Sequence, residues 1–262
     1  MKLKLFYDKS VEKNATIYYE KAKYAKKKIE GVKEIIARTK KELDELQKQK
    51  DNEIEKIFIE KQKLMEKKEV KKEWYEKFHW FFSSEGFLCI GGRDATSNEI
   101  VVKKHAEEGD LIFHTDMAGS PFFIVKNGKK TGENTIKEAA QATASYSKAW
   151  KLQLSYVDVF YVNPDQVTKE AKAGEYVAKG AFMIYGKKNY LTAKLEVAVG
   201  VVDKKVIGGP VAAIEVKSKK FIKVVPGNEK NTDIAKQIKK QIGGDLDSII
   251  RFLPAGGCKI VK

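Results

Sequence analysis

Residues 11–73 constrain the fold more than any other part of the sequence. They contain no proline and a single glycine, Gly31, and they are dense in lysine and glutamate. Selected positions recur at alternating steps of four and three, the spacing of a coiled-coil seam. The seam positions are Tyr18, Ala22, Ala25, Ile29, Val32, Ile36, Thr39, Leu43 and Leu46. One helix cannot bury such a seam by itself, so the pattern predicts a coiled-coil arm that needs a partner helix.

The seam is interrupted at residues 47–52, and a shorter, weaker one follows. Its positions are Ile54, Phe58, Leu64 and Met65. We therefore predict a long antiparallel coiled-coil helical hairpin that turns at residues 50–52, with one continuous helix as the alternative. The lysines of residues 21–28 form either a solvated helix face or a face that contacts phosphates.

The pattern changes at residue 74, where aromatic residues become frequent. Residues 74–82 contain six aromatic side chains besides a histidine, a density typical of a buried core. Short strand-like runs then alternate irregularly with helical segments, without a repeating βαβ unit. This arrangement predicts an α+β domain with a mainly antiparallel mixed sheet and packed helices. We divide the chain into an arm (1–73), a central domain (74–200) and a C-terminal β-meander and helix extension (201–262).

A polar insert between two strand-like runs marks the candidate site. Residues 109–127 read as two apolar strands around the polar segment 114–120. The preceding strand, predicted at 87–90, runs directly into Gly91, Gly92, Arg93 and Asp94. Thr96 and Glu99 have capping-box spacing and predict a helix over residues 97–105. Neighbouring loops of this kind would bring Arg93, a helix N-terminus and a glycine-containing backbone together, and all three favour anions.

Two further segments carry candidate features. Thr135 and Glu138 form a second capping-box pattern at the start of a helix with an apolar face. Further along, a glycine- and lysine-rich loop over residues 171–180 leads into a strand, and the turn that follows at residues 186–189 presents Lys187 and Lys188 between two strands. Surface lysines without a partner are the commoner situation for any such pair.

Charge favours a nucleic acid or an acidic membrane surface as partner. The 262 residues carry a formal net charge of +15, of which residues 1–73 contribute +7, residues 74–200 contribute +1 and residues 201–262 contribute +7. The only cysteines, Cys89 and Cys258, exclude a disulfide scaffold or a cysteine zinc site. No apolar run approaches the roughly 20 residues of a membrane span. We expect a reduced, cytoplasmic protein that binds no membrane.

Catalysis receives little support. Ser83 or Ser84 with His114 and Asp116 would supply hydrolase residue types, but no nucleophile-elbow glycines surround either serine. His114 and Asp116 alone are also a weak metal site, because the other histidines have no ligand spacing to them. We expect no enzyme activity, no metal and no cofactor.

Several segments together resemble a known domain. These are WYEKFHWFFSSEGFLCIGGRDATSNEIVVKKH, the GD..FHTDMAGS..FIVKN stretch, TIKEAAQATASYSKAW and GEYVAKGAFMIYGKKNYL. Across residues 74–200 they resemble the RNA-binding-type NFACT-R domain of the NFACT family, and residues 10–31 resemble the middle-domain helix of that family. The resemblance implies the C-terminal portion of a longer, archaeal-type protein, with a naturally shortened member as the alternative.

The resemblance implies a factor of ribosome-associated quality control. Such a factor contacts tRNA and the large ribosomal subunit while residues are added, without a template, to a stalled nascent chain. The expected RNA-binding residues are Arg93, Asp94, His114, Asp116, Gly119, Ser120, Lys126, Lys187 and Lys188. The alternative is a scaffold whose coiled coil mediates self-association or grips a protein partner, with only generic affinity for nucleic acid.

Overall fold

The computed structural model describes residues 4–68, 73–170 and 177–261, and in the first range the side chains of residues 51 and 58–68 are not described. The chain divides into two compact units, Met1–Lys72 and Glu73–Lys262. Part of the loop predicted at residues 171–180, namely 171–176, lies outside the described residues, as do the side chains of the seam positions Phe58, Leu64 and Met65.

The first unit contains one continuous helix, α1 (Val11–Lys68). The predicted hairpin turn at residues 50–52 is therefore wrong, and the alternative of a single helix is correct. The physical reason is local: residues 47–52 contain glutamine, lysine, aspartate and asparagine but neither glycine nor proline, the two residues that most strongly break a helix. Its 58 residues span about 87 Å at 1.5 Å per residue. The seam side chains Ile29, Val32, Ile36, Leu43 and Leu46 are exposed, and their pairing with a second helix stays a prediction.

The second unit contains twelve strands, β1 to β12, and six helices, α2 to α7, among its described residues. The strands are β1 (His79–Phe82), β2 (Leu88–Gly91), β3 (Leu111–Thr115), β4 (Phe123–Val125), β5 (Tyr156–Val162), β6 (Val167–Thr168), β7 (Met183–Ile184), β8 (Asn189–Lys194), β9 (Val197–Val202), β10 (Lys205–Gly209), β11 (Phe221–Glu229) and β12 (Cys258–Val261). The helices are α2 (Ala95–His105), α3 (Glu133–Ser145), α4 (Lys148–Lys151), α5 (Val211–Glu215), α6 (Asn231–Ile242) and α7 (Leu246–Phe252). Single 3-10 turns cover Trp74–Lys77, Gly128–Lys130 and Pro164–Gln166.

All strand pairs are antiparallel. A six-stranded sheet has the order β1-β2-β4-β3-β5-β8, a four-stranded sheet the order β10-β9-β11-β12, and β6 pairs with β7. The two apolar runs around the polar insert are the neighbours β3 and β4, with Leu111 opposite Val125. The predicted α+β class with a mainly antiparallel sheet and packed helices is confirmed.

Each face of the six-stranded sheet packs against a core, since alternate residues of its strands point to opposite faces. Phe113, Phe123 and Val159 pack on one face, in a core shared with α3 and with the four-stranded sheet. Ile112 and Ile124 pack on the other face, in a core shared with α2. The ends of β2 and β3 that carry the candidate site are therefore held between two packed layers.

Two predicted capping boxes are replaced by other caps. Helix α2 begins two residues early, because the Asp94 carboxylate accepts a hydrogen bond from Ser97 N at 2.7 Å and leaves Glu99 free for other contacts. Helix α3 begins at Glu133 and is capped from outside by Glu85, whose carboxylate accepts from Gly132 N at 3.1 Å and Thr135 N at 3.2 Å. A residue about fifty positions away supplies this cap, so no local sequence spacing could have predicted it.

Within the described residues, no helix combines the length and apolar character that crossing a membrane requires.

Candidate nucleic-acid interface

Three segments enclose one pocket at the end of the six-stranded sheet. They are the loop from β2 into α2, the polar insert between β3 and β4, and the chain that leads into β7. The pocket has a volume of about 340 Å³. Its lining includes five of the nine predicted site residues: Arg93, Asp94, His114, Gly119 and Ser120. Residues from two separate predicted loops thus line one cavity.

Arg93 is the most distinctive group in this pocket. Its guanidinium donates one hydrogen bond, from Nη2 to Phe78 O at 3.0 Å. Its Nε is buried without a hydrogen-bond partner, and Arg93 forms no ion pair with any carboxylate in the described part of the chain. Burial, followed by the nearby charge of Arg251, lowers its pKa, but a guanidinium stays protonated at neutral pH. The pocket therefore holds a guanidinium charge that pairs with no described carboxylate.

Other groups modulate the positive potential around Arg93. The Arg251 guanidinium donates to Glu76 O at 2.8 Å, so two arginines are anchored to carbonyls of neighbouring residues. Lys179 lines the pocket and is exposed. The Asp94 carboxylate also lines it, but this carboxylate caps α2 and occupies one of the N–H groups at the helix end. The anion-favouring charge therefore comes mainly from Arg93 and Lys179 rather than from the helix N-terminus.

Asn98 joins two of the pocket's walls. Its Oδ1 accepts from Phe122 N at 3.1 Å, and its Nδ2 donates to Ser120 O at 3.5 Å. This buried amide couples the first turn of α2 to the polar insert, and a Cβ on Gly92 would lie 2.0 Å from Asn98 Oδ1. A side chain at position 92 would break this coupling.

The third wall is held by Glu99. Its carboxylate accepts from Gly180 N at 3.1 Å and pairs with Lys169 at 2.6 Å. The hydrogen bond from Lys169, with that from Gly180, lowers the pKa of Glu99 to about 2. Gly180 has a φ of +82°, and a Cβ there would lie 2.5 Å from Ala95 Cα, so the chain approaches α2 as closely as only glycine permits.

His114 contributes an aromatic surface rather than a charge. Its ring stacks on Phe122 with centroids 4.0 Å apart. Burial lowers its pKa to about 4, although hydrogen bonds with the Ser120 and Thr115 backbone act in the opposite direction. At neutral pH the imidazole is uncharged and can stack or hydrogen-bond.

Asp116 and Lys188 form an ion pair beside the pocket. Lys188 Nζ lies 2.8 Å from Asp116 Oδ1, and the Tyr190 hydroxyl donates to Asp116 Oδ2 at 2.9 Å. The same ammonium lies 4.2 Å from the centroid of the Phe160 ring. The hydrogen bond from Lys188 lowers the pKa of Asp116. Lys188 is thus committed within the protein, whereas Lys187 is exposed and forms no ion pair among the described residues.

An open shelf of sheet continues from the pocket. His114, Phe160 and Tyr190 lie opposite one another on neighbouring strands, and Tyr156 lies opposite Lys194 further along β5 and β8. The exposed fractions of Tyr156 and Tyr190 are 58% and 54%. Exposed aromatic rings beside lysines form a surface on which nucleic-acid bases can stack.

Ser120 and Gly119 shape the loop. The buried Ser120 hydroxyl is hydrogen-bonded with the Thr115 hydroxyl and donates to Met117 O at 3.0 Å, so it stabilises the polar insert internally. Gly119 has a φ of +85°, in the region that favours glycine.

Lys126 lies outside the pocket. Its ammonium contacts Asp110 at 2.7 Å, Glu107 at 2.8 Å and His105 O at 2.9 Å. Three acceptors satisfy its three donors, and Asp110 is almost fully buried. The structure therefore gives Lys126 a stabilising role and leaves it no donor for a phosphate.

Three further residues of the pocket lining were not predicted from the sequence: Asn98, Tyr146 and Lys179. Lys179 belongs to the glycine- and lysine-rich loop already noted, so its composition was an available signal. Asn98 and Tyr146 lie within or at the end of helices, where no local pattern distinguishes them from ordinary packing residues.

The hydrolase arrangement is not assembled. The Ser83 hydroxyl accepts from Thr135 Oγ1 at 2.9 Å and from Phe87 N at 3.0 Å. Neither Ser83 nor Ser84 lines the pocket that contains His114. Over the residues whose positions are described, no group of three or more metal-ligating side chains occurs.

Comparison with protein families identifies the domain. Residues 77–186 match the family model described as the NFACT protein RNA binding domain. This part of the chain is an NFACT-R domain. This NFACT-R match covers β1 to β7, including all three segments that enclose the pocket.

Three proteins with similar sequences show how much of the chain the similarity covers. The archaeal Rqc2 homolog aRqcH of Methanocaldococcus jannaschii is 39% identical over 216 residues, which cover 78% of this chain and 32% of that protein. The human ribosome quality control complex subunit NEMF is 38% identical over 181 residues, covering 68% and 16%. The Drosophila melanogaster NEMF homolog is 44% identical over 120 residues, covering 45% and 12%. The chain spans about a third or less of these relatives.

Proposed function

We propose that this chain is an RNA-binding component of ribosome-associated quality control, which contacts tRNA and the large ribosomal subunit during template-free tailing of stalled nascent chains. In this role the protein positions RNA and the ribosome supplies the chemistry, so the chain needs no catalytic residue or cofactor of its own. The printed names of the relatives and the RNA-binding description of the matched family support the proposal.

The observation that carries the proposal is Arg93. A partly buried guanidinium without a carboxylate partner is costly unless a ligand compensates its charge. The pocket is open enough to admit a ligand, and a phosphate accepts hydrogen bonds from a guanidinium in two-pronged geometry. An RNA phosphate in the pocket would compensate the guanidinium charge of Arg93 and place neighbouring nucleotides near the shelf.

The shelf supports single-stranded or looped RNA. Tyr156 and Tyr190 lie on the adjacent strands β5 and β8 and are offset by four residues, about 13 Å at 3.3 Å per residue, a span compatible with a few nucleotides. Stacking on an aromatic ring contributes roughly 1–3 kcal/mol per base. A regular duplex cannot offer unpaired bases to these rings, so the geometry favours loops and ends of RNA.

The test is fluorescence anisotropy of labelled tRNA titrated with the chain at several salt concentrations, beside a DNA duplex of similar charge. We expect tighter binding of tRNA and a fall in affinity of about 0.7–0.9 log units per phosphate contact for each tenfold increase in salt. Equal binding of tRNA and duplex would mean that the net charge of +15 acts only generically. Pelleting with isolated large ribosomal subunits then tests the ribosomal part of the proposal.

A scaffold role for α1 is the second candidate, because its seam side chains are exposed. Sedimentation velocity of the whole chain and of an Ile29→Glu, Ile36→Glu double variant tests it. A dimer that is lost in the double variant supports self-association through the seam. If the unchanged chain and the double variant are both monomers, self-association is excluded. A scaffold role for α1 would then require a different protein as partner.

A further inference from the structure

A second concave surface lies at the β8 edge of the six-stranded sheet. It is bounded by β8, α3 and α5 and has a volume of about 730 Å³. We call it the edge groove. Its lining includes the four consecutive residues 191–194 of β8, Glu138 from α3 and Glu215 from α5. The groove contains no residue that lines the Arg93 pocket.

Strand β8 contributes its free edge to this groove. It is the last strand of its sheet, and no described strand pairs with its outer side. Four consecutive residues of β8 line the groove, although alternate side chains of a strand point to opposite faces. The backbone edge of the strand must therefore form part of the groove wall.

The register identifies the outward backbone groups. Leu195 N donates to Ser155 O at 2.9 Å, so residue 195 directs its backbone groups toward β5. Backbone groups alternate between the two edges of an antiparallel strand. Tyr190, Thr192 and Lys194 consequently direct their N–H and C=O groups outward, where they can pair with an added strand.

Glu138 provides a second feature that requires a partner. Its side chain is 4% exposed, and its Oε2 accepts from Ser84 N at 2.9 Å. Its Oε1 is buried and accepts no hydrogen bond from any described residue. A buried carboxylate oxygen without a donor is unfavourable, and a donor supplied by a ligand in the groove would remove that cost.

The charge of the edge groove differs from that of the whole chain. The ionisable residues in its lining are Lys137, Lys194, Glu138, Glu196 and Glu215, which give it three acidic and two basic groups. The chain as a whole carries +15. An acidic groove in a basic protein repels phosphate and favours a ligand with a positive or hydrogen-bond-donating group.

We propose that the edge groove binds an extended peptide, which adds to β8 as a seventh strand and directs a lysine or arginine side chain toward Glu138. Backbone pairing at Thr192 and Lys194 supplies affinity, and the unpaired Glu138 oxygen supplies selectivity for a basic side chain. Addition of a strand to an exposed sheet edge is a general mode of peptide recognition. This binding is independent of RNA at the Arg93 pocket.

The first experiment selects ligands from a phage-displayed library of random dodecapeptides on the full chain, after depletion on a Thr192→Pro variant. Proline removes the outward N–H of Thr192 and leaves the bonds between β5 and β8 in place. We expect enriched peptides with alternating β-branched residues and a lysine or arginine. A depleted library that yields no binder overturns the proposal.

Synthetic versions of an enriched peptide then test the contacts by isothermal titration calorimetry. We expect affinity to fall roughly tenfold or more for Thr192→Pro, and by a similar factor for Glu138→Gln, which keeps an oxygen for Ser84 N but loses the charge. Replacing the basic residue of the peptide by norleucine should abolish the difference between Glu138→Gln and the unchanged chain. Equal affinity of all variants contradicts the proposed contacts.

One control leaves the protein untouched. Methylation of alternate backbone nitrogens in the peptide blocks strand pairing only when these nitrogens face β8. We expect one methylated series to lose binding and the offset series to keep it. If both series bind, strand addition is wrong even if a Thr192→Pro variant folds poorly.

The same peptide and variants also test two other ligands of the edge groove, RNA and a second copy of the chain. Competition of the peptide by tRNA would place RNA in the groove and overturn the proposal. Dimerisation of the chain that disappears in Thr192→Pro would show that a second copy occupies the edge, and would also overturn it.

Discussion

Arg93 and Lys126 are cations of the same domain in opposite electrostatic situations. The Lys126 ammonium has three acceptors between 2.7 and 2.9 Å, two of them carboxylates. The Arg93 guanidinium has one carbonyl acceptor, a buried Nε without a partner and no ion pair with a described carboxylate. A cation whose charge is compensated stabilises the fold, whereas an uncompensated one is available to an anionic ligand.

This difference separates structural from functional basic residues within a chain that contains 51 of them. Replacement of each cation by methionine removes the charge and keeps much of the aliphatic volume. The variant Lys126→Met should therefore lose stability, and the variant Arg93→Met should lose RNA affinity.

The largest effect is expected for Lys126→Met. It leaves the buried Asp110 carboxylate without its cation, and breaking a buried pair in this way costs about 3 kcal/mol of unfolding free energy. The measurement is urea unfolding followed by tryptophan fluorescence, because Trp74, Trp80 and Trp150 all lie in the second unit. A loss below roughly 1 kcal/mol, the range of surface pairs, would show that Lys126 is not structural.

Two partly buried histidines near Arg93 should make stability depend on pH. Burial lowers the pKa of His79 well below its usual value and that of His114 to about 4, so the unfolded chain binds more protons as pH falls below about 6.5. His114 alone then removes about 1.5 kcal/mol between pH 6.5 and pH 5, and His79 acts in the same direction. In His114→Gln, the pH slope of the unfolding free energy over this range should become shallower by about 1 kcal/mol per pH unit. An unchanged slope would mean that His114 titrates normally.

A smaller change in stability is expected for Arg93→Met. The variant loses one hydrogen bond to Phe78 O and relieves a desolvated charge, so the unfolding free energy should change by no more than about 1 kcal/mol. Urea unfolding under the same conditions as for Lys126→Met measures it. A loss as large as that of Lys126→Met would assign Arg93 to the structure instead of the site.

The smallest effect is expected for Lys188→Met. Its side chain and that of Asp116 are 29% and 60% exposed, so the ion pair contributes about 0.5 kcal/mol or less. The change should shrink further at 0.5 M salt because screening weakens exposed pairs. A salt-independent loss would indicate that the contact with Phe160 matters more than the charge pair.

The sequence predicted what local patterns determine. The strands around the polar insert and the α+β class follow from apolar alternation and from the absence of a repeating βαβ unit. The same patterns identified the loops after β2 and β3, which line the candidate pocket.

Long-range partners were not accessible from local spacing. Glu85 caps α3 from about fifty residues away, Asp110 captures Lys126, and Asn98 ties α2 to the polar insert. None of these pairings has a sequence period. The helical hairpin failed for the opposite reason: a break in a seam is not a break in a helix unless the residues themselves stop it.

The most direct test compares tRNA binding by the unchanged chain, Arg93→Met and Lys130→Met across a salt series. Lys130 is an exposed lysine outside the pocket and is the matched control for the loss of one charge. The account predicts about a tenfold loss of affinity and a salt slope shallower by about one contact for Arg93→Met, with little change for Lys130→Met. Equal affinities and slopes for the two variants would contradict the assignment of the Arg93 pocket as the RNA site.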